Sequence, residues 1–131
     1  MEGAIGCYQT AAKAFPLSRA ITYEYAETLI QAQRPDPALS VINARLQTST
    51  EDPKLYILQA RAYALQGKRL AQHRATGEAY ARMGNLRGAV EQMQIALRSG
   101  DGDFYQLSAT EARLRELRKA EEARRKEQQK R

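Results

Sequence analysis

The chain has 131 residues, enough for one domain with one core, and its single cysteine, Cys7, excludes an internal disulfide. It carries 21 Lys and Arg against 15 Asp and Glu, but nine of these basic and five of these acidic side chains lie in residues 111–131. The remaining body is nearly neutral, so the charge does not by itself indicate a nucleic-acid ligand. No run of about 18 apolar residues occurs, and we expect no integral membrane segment.

Good helix formers dominate the composition, and the chain has only eight Gly and four Pro, which predicts an all-α fold. Gly, Pro and Asp divide the sequence into segments of about one helix each, joined by short loops. Short loops predict that successive helices pack antiparallel. The seven predicted helices cover residues 3–14, 18–32, 36–48, 53–66, 69–82, 86–99 and 109–127.

A helical repeat is visible in residues 73–101, where two helices are separated by Gly84-Asn85. This segment resembles a tetratricopeptide repeat (TPR), which stacks helix pairs into an α-solenoid. The resemblance implies that the first helix has a small residue where the two helices approach closely, an aromatic residue, and a left-handed backbone conformation at its end. It assigns a small, large, small face to the second. The positions are Gly77, Tyr80 and Gly84 in the first helix and Ala89, Met93 and Ala96 in the second.

The same small, aromatic, Gly pattern occurs earlier in the chain as Ala60, Tyr63 and Gly67. The offset between the two patterns is half of the usual TPR period, so helix 69–82 is expected to belong to two successive pairs. One full period upstream of Gly67, Gln33 occupies the position of the glycine. The pattern predicts a TPR-type α-solenoid of about seven antiparallel helices with an odd helix.

The first predicted helix matches the second helix of a repeat through Ala4, Tyr8, Ala11 and Pro16. Its expected partner would lie before residue 1, so we expect the chain to be part of a longer protein. Cys7 on this helix is expected to be buried as a small apolar residue.

The C-terminal segment is expected to be a long, charged capping helix. Ser108 and Glu111 have the spacing of a capping box, which predicts a domain division into a TPR array at 1–107 and a capping helix at 108–131.

The odd-helix array followed by residues 102–117, Gly-Asp-Phe-Tyr-Gln-Leu-Ser-Ala-Thr-Glu-Ala-Arg-Leu-Arg-Glu-Leu, resembles the C-terminal domain of BepA-like bacterial zinc metallopeptidases. The resemblance implies a periplasmic parent protein with a zinc-dependent HExxH catalytic domain and chaperone-like roles in outer-membrane protein assembly. Implied partners are the parent's own protease domain, unfolded outer-membrane proteins or the assembly machinery.

This chain has no HExxH motif, and His73 is its only histidine. We therefore expect no catalytic residue, no metal site and no cofactor within it. His73 is expected to be a packing or partly exposed polar residue. Residues 100–103, Gly-Asp-Gly-Asp, lack the further ligands of a calcium loop and are expected to form a helix cap and turn.

First helices of TPR pairs line a groove that binds peptides or helices. Arg61, Arg74 and Arg82 are expected to converge in that groove opposite Glu27 and to favour a partner segment with acidic residues beside an apolar anchor. The residues predicted to line it are Tyr23, Glu27, Ile57, Arg61, Arg74, Glu78 and Arg82.

Two alternatives remain open at this point. One is a free-standing cytoplasmic TPR scaffold that binds a peptide tail. The other is a nucleic-acid or membrane-surface binder that uses residues 113–131. The second is disfavoured because acidic residues interleave with the basic ones at spacings that predict intrahelical pairs, Glu111 with Arg115 and Glu122 with Lys126.

Overall fold

The computed structural model describes residues 2–130, which form seven α-helices and no strand. This confirms the all-α prediction, and the bounds of α4 and α5 coincide with the predicted ones. None of the described helices is both long and apolar enough to cross a membrane. The helices are α1 Glu2–Ala14, α2 Arg19–Gln31, α3 Pro35–Leu46, α4 Pro53–Gln66, α5 Arg69–Arg82, α6 Leu86–Leu97 and α7 Phe104–Gln129.

Side-chain caps explain where several helices begin. Ser18, Asp52 and Asn85 precede α2, α4 and α6, and each accepts a hydrogen bond from a backbone N–H of the first turn. These bonds satisfy donors that have no partner inside the helix. Pro53 supports the start of α4 because the first helical position needs no N–H donor.

The start of α7 differs from the prediction. The capping box is formed by Asp103 and Gln106, with N···O distances of 2.8 and 3.0 Å, and not by Ser108 and Glu111. The Asp-x-x-Gln sequence meets the same spacing requirement, and a carboxylate interacts more favourably than a hydroxyl with the positive end of the helix dipole. Residues 104–107, predicted to be part of the array, therefore belong to the C-terminal helix.

Three helices end in the same way, on a residue with left-handed backbone conformation. Gln33, Gly67 and Gly84 have φ angles of 61°, 72° and 82°. At each end a backbone N–H bonds to the carbonyl five residues earlier, which is the Schellman motif. The placement of Gln33 at a glycine position is thus confirmed in the backbone. The bonds join Arg34 to Leu29 at 2.9 Å, Lys68 to Tyr63 at 3.1 Å and Asn85 to Tyr80 at 2.8 Å.

The helices pack mainly against their neighbours in sequence. Two further contacts skip one helix, between α2 and α4 and between α5 and α7. As a result, α5 contacts the helix before it and two helices after it, α6 and α7.

Buried side chains form two clusters instead of the single core expected from the length. The larger cluster lies among α1 to α4, and the smaller one lies between α6 and α7. The buried residues of α5, which are Leu70, Ala75, Gly77 and Ala79, belong to neither cluster. The largest fully buried side chains are Leu29, Ile42, Leu55, Leu58, Met93 and Thr110.

Gly77 lies at a close contact between α5 and α6, as predicted. A Cβ atom there would lie 2.9 Å from Cε of Met93 and 3.3 Å from the carbonyl oxygen of Ala89. Ala60, Ala89, Met93 and Ala96 are buried, also as predicted. Tyr63 and Tyr80 are only half-buried, and each packs at the edge of one of the two clusters.

The prediction that Cys7 is buried is wrong, because its side chain is exposed. Helix α1 contacts only α2, and Ile5 is its one buried residue among those described. Tyr8, Ala11 and Ala12 are half-buried, Glu2 pairs with Arg34, and the remaining residues of α1 are exposed in the described part of the chain.

Candidate functional site

The residues predicted to line one groove lie on two separate surfaces. Tyr23, Glu27, Ile57 and Arg61 share a surface formed by α2 and α4, which we call the α2–α4 surface. Arg74, Glu78 and Arg82 lie instead beside a space between α4, α5 and α7, which we call the α4–α5–α7 cavity.

Charges on the α2–α4 surface are loosely paired. Lys54 Nζ and Arg61 Nη1 each lie 4.0 Å from Oε1 of Glu27, so two cations face one carboxylate. Lys54 Nζ also lies 4.9 Å from the centre of the Tyr23 ring, within range of a cation–π contact. The hydroxyl of Tyr23 donates to Asp52, and burial together with this bond raises the pKa of Tyr23 above its ordinary value.

An apolar depression continues from this surface onto α5. Its volume is about 380 Å³, and Ile57 at its rim is 43% exposed. Ala60 and Ala64 line it from α4, and Tyr80 lines it from α5. The remaining lining residues are Arg61, Gln72 and Thr76.

The α4–α5–α7 cavity has a volume of about 410 Å³ and a polar lining. At ~100° per residue, its α5 residues lie on the face opposite to the α5 residues of the apolar depression. The two spaces have no lining residue in common. The cavity is lined by Tyr56, Gln59, Tyr63, Leu70, Ala71, Arg74, Ala75, Glu78, Gln106 and Arg113.

Glu78 is the central carboxylate of this cavity, with a side chain only 16% exposed. Its oxygens accept hydrogen bonds from Arg82 on the same helix and from Arg113 on α7, whose Nε lies 2.6 Å from Oε1. Arg113 also donates to Glu116 at 2.9 Å. Burial opposes the charge of Arg113, but its bonds to Glu78 and Glu116 raise its pKa above the ordinary value.

Arg82 is held by several groups besides Glu78. Its Nε donates to the carbonyl oxygen of Thr50 at 2.9 Å, and its guanidinium carbon lies 4.5 Å from the centre of the Tyr56 ring. Glu51 lies 3.9 Å away. This arginine therefore joins the end of α5 to the loop before α4.

Arg74 lines the same cavity but has no such partners. Within residues 2–130 its Nε is buried without a hydrogen-bond partner, and its guanidinium forms no ion pair. Glu78 lies one helical turn further along α5, but its oxygens are bonded to Arg82 and Arg113.

The prediction that Arg61, Arg74 and Arg82 converge opposite Glu27 is therefore wrong. Arg61 pairs with Glu27 itself, whereas Arg74 lines the cavity and Arg82 bonds to Glu78 beside it. Side chains at equivalent repeat positions of α4 and α5 face different spaces because α4 also contacts α2, whereas α5 also contacts α7. Sequence reasoning also missed Tyr56 and Arg113, although the four-residue spacing of Arg74, Glu78 and Arg82 indicates a shared helix face.

His73 is half-buried and its Nδ1 lies 2.9 Å from Oε1 of Gln92, which confirms a packing role with a polar partner. Within the described part of the chain, no three or more His, Cys, Asp or Glu side chains are grouped so that they could hold a metal ion.

Residues 100–103 supply helix caps, as predicted, and Gly100 has a left-handed backbone conformation with φ 83°. Asp101 accepts hydrogen bonds from the backbone N–H groups of Arg69 and Leu70, at 2.6 and 3.0 Å, and so caps α5 from a distance in sequence. It also accepts a bond from the Ser99 hydroxyl at 2.8 Å.

In the charged tail, Lys126 pairs with Glu122 at 3.4 Å, as predicted, and Arg125 pairs with Glu121 at 2.6 Å. The predicted pair of Glu111 and Arg115 is not among the ion pairs of residues 2–130. The observed ion pairs neutralise part of the positive charge with which the tail would bind a nucleic acid or an anionic membrane.

No protein-family model matches this chain, and a search of curated proteins finds no match.

Proposed function

We propose that this chain is a TPR-type helical-repeat domain that binds a segment of a partner protein and performs no catalysis itself. Support for the repeat comes from the three Schellman ends at Gln33, Gly67 and Gly84, which follow one another at a full and then a half TPR period. The close contact of Gly77 with Met93 supports it further. The contacts of α5 with α4, α6 and α7 fit a helix shared between two pairs.

The binding site is assigned to the α2–α4 surface together with the apolar depression. The observation that carries this assignment is Ile57, a large aliphatic side chain 43% exposed at the rim of an apolar space of about 380 Å³. A protein segment could bury an aliphatic or aromatic side chain there, and such anchors provide most of the affinity in peptide recognition.

Charge indicates the flanking residues of the partner segment. Lys54 and Arg61 carry two positive charges, and the carboxylate of Glu27 neutralises only one of them. The remaining positive charge favours an acidic residue beside the apolar anchor of the partner segment. All three charged side chains are at least 38% exposed, so each such contact should contribute only ~0.2 to 1 kcal/mol and weaken with salt.

A peptide library screened with the full chain tests this assignment. We expect selected peptides to combine one large apolar residue with adjacent Asp or Glu, and to lose at least tenfold in affinity for the I57D or R61E variant. Ile95→Asp is a matched control, since Ile95 is 37% exposed and lies on α6. Selected peptides that bind I57D as tightly as the original chain would place the site elsewhere.

The resemblance to BepA-like metallopeptidases extends this proposal to a parent protein. We propose that the chain is the interaction region of a periplasmic zinc-dependent protease that acts in outer-membrane protein quality control. An upstream reading frame that encodes an HExxH helix and a signal peptide would support this origin. A reading frame without them would favour the free-standing scaffold.

A further inference from the structure

The α4–α5–α7 cavity is separate from the proposed peptide surface, and it contains one charge without a counter-ion. Arg82 and Arg113 both bond to Glu78, and each has a second carboxylate nearby, Glu51 and Glu116 respectively. Arg74 has no carboxylate partner within residues 2–130. A buried guanidinium N–H without an acceptor is costly, and such groups are rare in folded proteins.

We propose that this cavity binds a carboxylate group, with Arg74 as the residue that pairs with it. The planar guanidinium offers parallel N–H donors that match the two oxygens of a carboxylate. Because only Arg74 lacks a counter-ion among the cavity's described arginines, a singly charged group would complete the pairing. A phosphate dianion would leave one negative charge uncompensated close to Glu78.

Other lining residues fit the rest of such a ligand. The side-chain amide of Gln106 can donate hydrogen bonds, whereas that of Gln59 already donates one to Asn43 at 2.9 Å and has one N–H left. The rings of Tyr56 and Tyr63 offer aromatic surface. A volume of about 410 Å³ is within the usual range of small-molecule sites. The carboxylate could belong to a small organic acid or to an Asp or Glu side chain of a peptide.

An NMR titration of the full, isotope-labelled chain tests the proposal through the Nε–H signal of Arg74. The probes are butyrate and a short, terminally blocked peptide containing one Glu, with butyramide and the corresponding Gln peptide as uncharged controls. We expect a saturable shift with at least one carboxylate probe and none with its amide control. The probe that binds identifies the source of the carboxylate.

The R74Q variant should bind the carboxylate probe at least tenfold more weakly. Arg87→Gln, an exposed arginine on α6 outside both proposed binding surfaces, should leave that binding unchanged. Because Arg74 has no ion-pair partner among the described residues, R74Q should keep its melting temperature, whereas loss of a purely structural arginine would lower it. R74K, which retains the charge without the planar fork, should bind with intermediate affinity and provides a second variant should R74Q fail to fold.

Three results would overturn the proposal: no saturable shift with either carboxylate probe, equal binding by R74Q, or tighter binding of inorganic phosphate than of butyrate. The peptide-library experiment with Ile57 and Arg61 reports on the other surface. Failure of one assignment is therefore distinguishable from failure of the other.

Discussion

The guanidinium of Arg113 on α7 donates a hydrogen bond from Nε to Oε1 of Glu78 on α5 at 2.6 Å. These residues are far apart in sequence, and their contact fastens the C-terminal helix beside the cavity. The Glu78 side chain is 16% exposed and that of Arg113 is 28% exposed, so water screens this pair less than the ion pairs of the tail.

Replacing Glu78 by Gln should lower the free energy of unfolding by about 1 to 3 kcal/mol, because two partly buried arginines lose their shared carboxylate. Glu91→Gln is the matched control, since Glu91 is 63% exposed and lies 3.9 Å from Arg87. It should cost about 0.5 kcal/mol or less. Urea denaturation of both variants measures the difference, and equal stability would show that the Glu78 cluster contributes nothing.

Replacing Gly77 by Leu should cost about 1 to 3 kcal/mol, because the added side chain meets Met93 and the backbone of Ala89. Gly6→Leu is the control, since a Cβ atom at Gly6 would have no neighbour within 4 Å. The control should be neutral or stabilising because Leu favours helix more than Gly does. Thermal denaturation checks both, and an unchanged melting temperature for G77L would contradict the close packing of α5 on α6.

Stability should depend on the ionisation of Asp101. Its hydrogen bonds from Ser99 and from the N–H groups of Leu70 and Arg69 lower the pKa of Asp101 below its ordinary value of 3.8. A lowered pKa in the folded state stabilises the fold above pH 3.8 and ceases to do so as the pH falls through the folded-state value.

The D101N variant should therefore melt at a lower temperature than the original chain at pH 7. The difference should shrink on acidification below pH 3.8, because the original chain then loses its charged cap. Melting temperatures recorded from neutral pH down to well below the ordinary carboxyl pKa test this. A difference that stays constant over that range would show that the carboxylate charge is unimportant for capping α5.

Replacing Gln33 by Gly should raise the free energy of unfolding by about 1 kcal/mol. A residue with a side chain is strained at φ 61°, whereas Gly is not, and this gain exceeds the extra entropy of Gly in the unfolded chain. Gln9→Gly, at an exposed position in the middle of α1, is the control and should lower stability by roughly 0.5 to 1 kcal/mol. Chemical denaturation that shows Q33G to be less stable would contradict the left-handed conformation.

Local features of this protein could be predicted from the sequence. Pro53 and Gly67 bracket α4, and the spacing of one repeat period from Gly67 placed Gln33 at the glycine position, where the structure has a left-handed helix end. These features depend on backbone preferences of single residues and on hydrogen bonds within a few positions, which the sequence determines directly. The predicted start of α7 was wrong because two segments there, Asp103 to Gln106 and Ser108 to Glu111, both have capping-box spacing.

The surfaces were decided only by the tertiary structure. Arg61 and Glu78 occupy equivalent places in the repeat pattern, two residues before Tyr63 and Tyr80, yet they face different spaces because α4 contacts α2 while α5 contacts α7. Likewise, the pairing of Glu78 with Arg113 joins residues distant in sequence and follows from where α7 packs. A helix periodicity specifies which residues share a face, but the contacts between helices determine what that face meets.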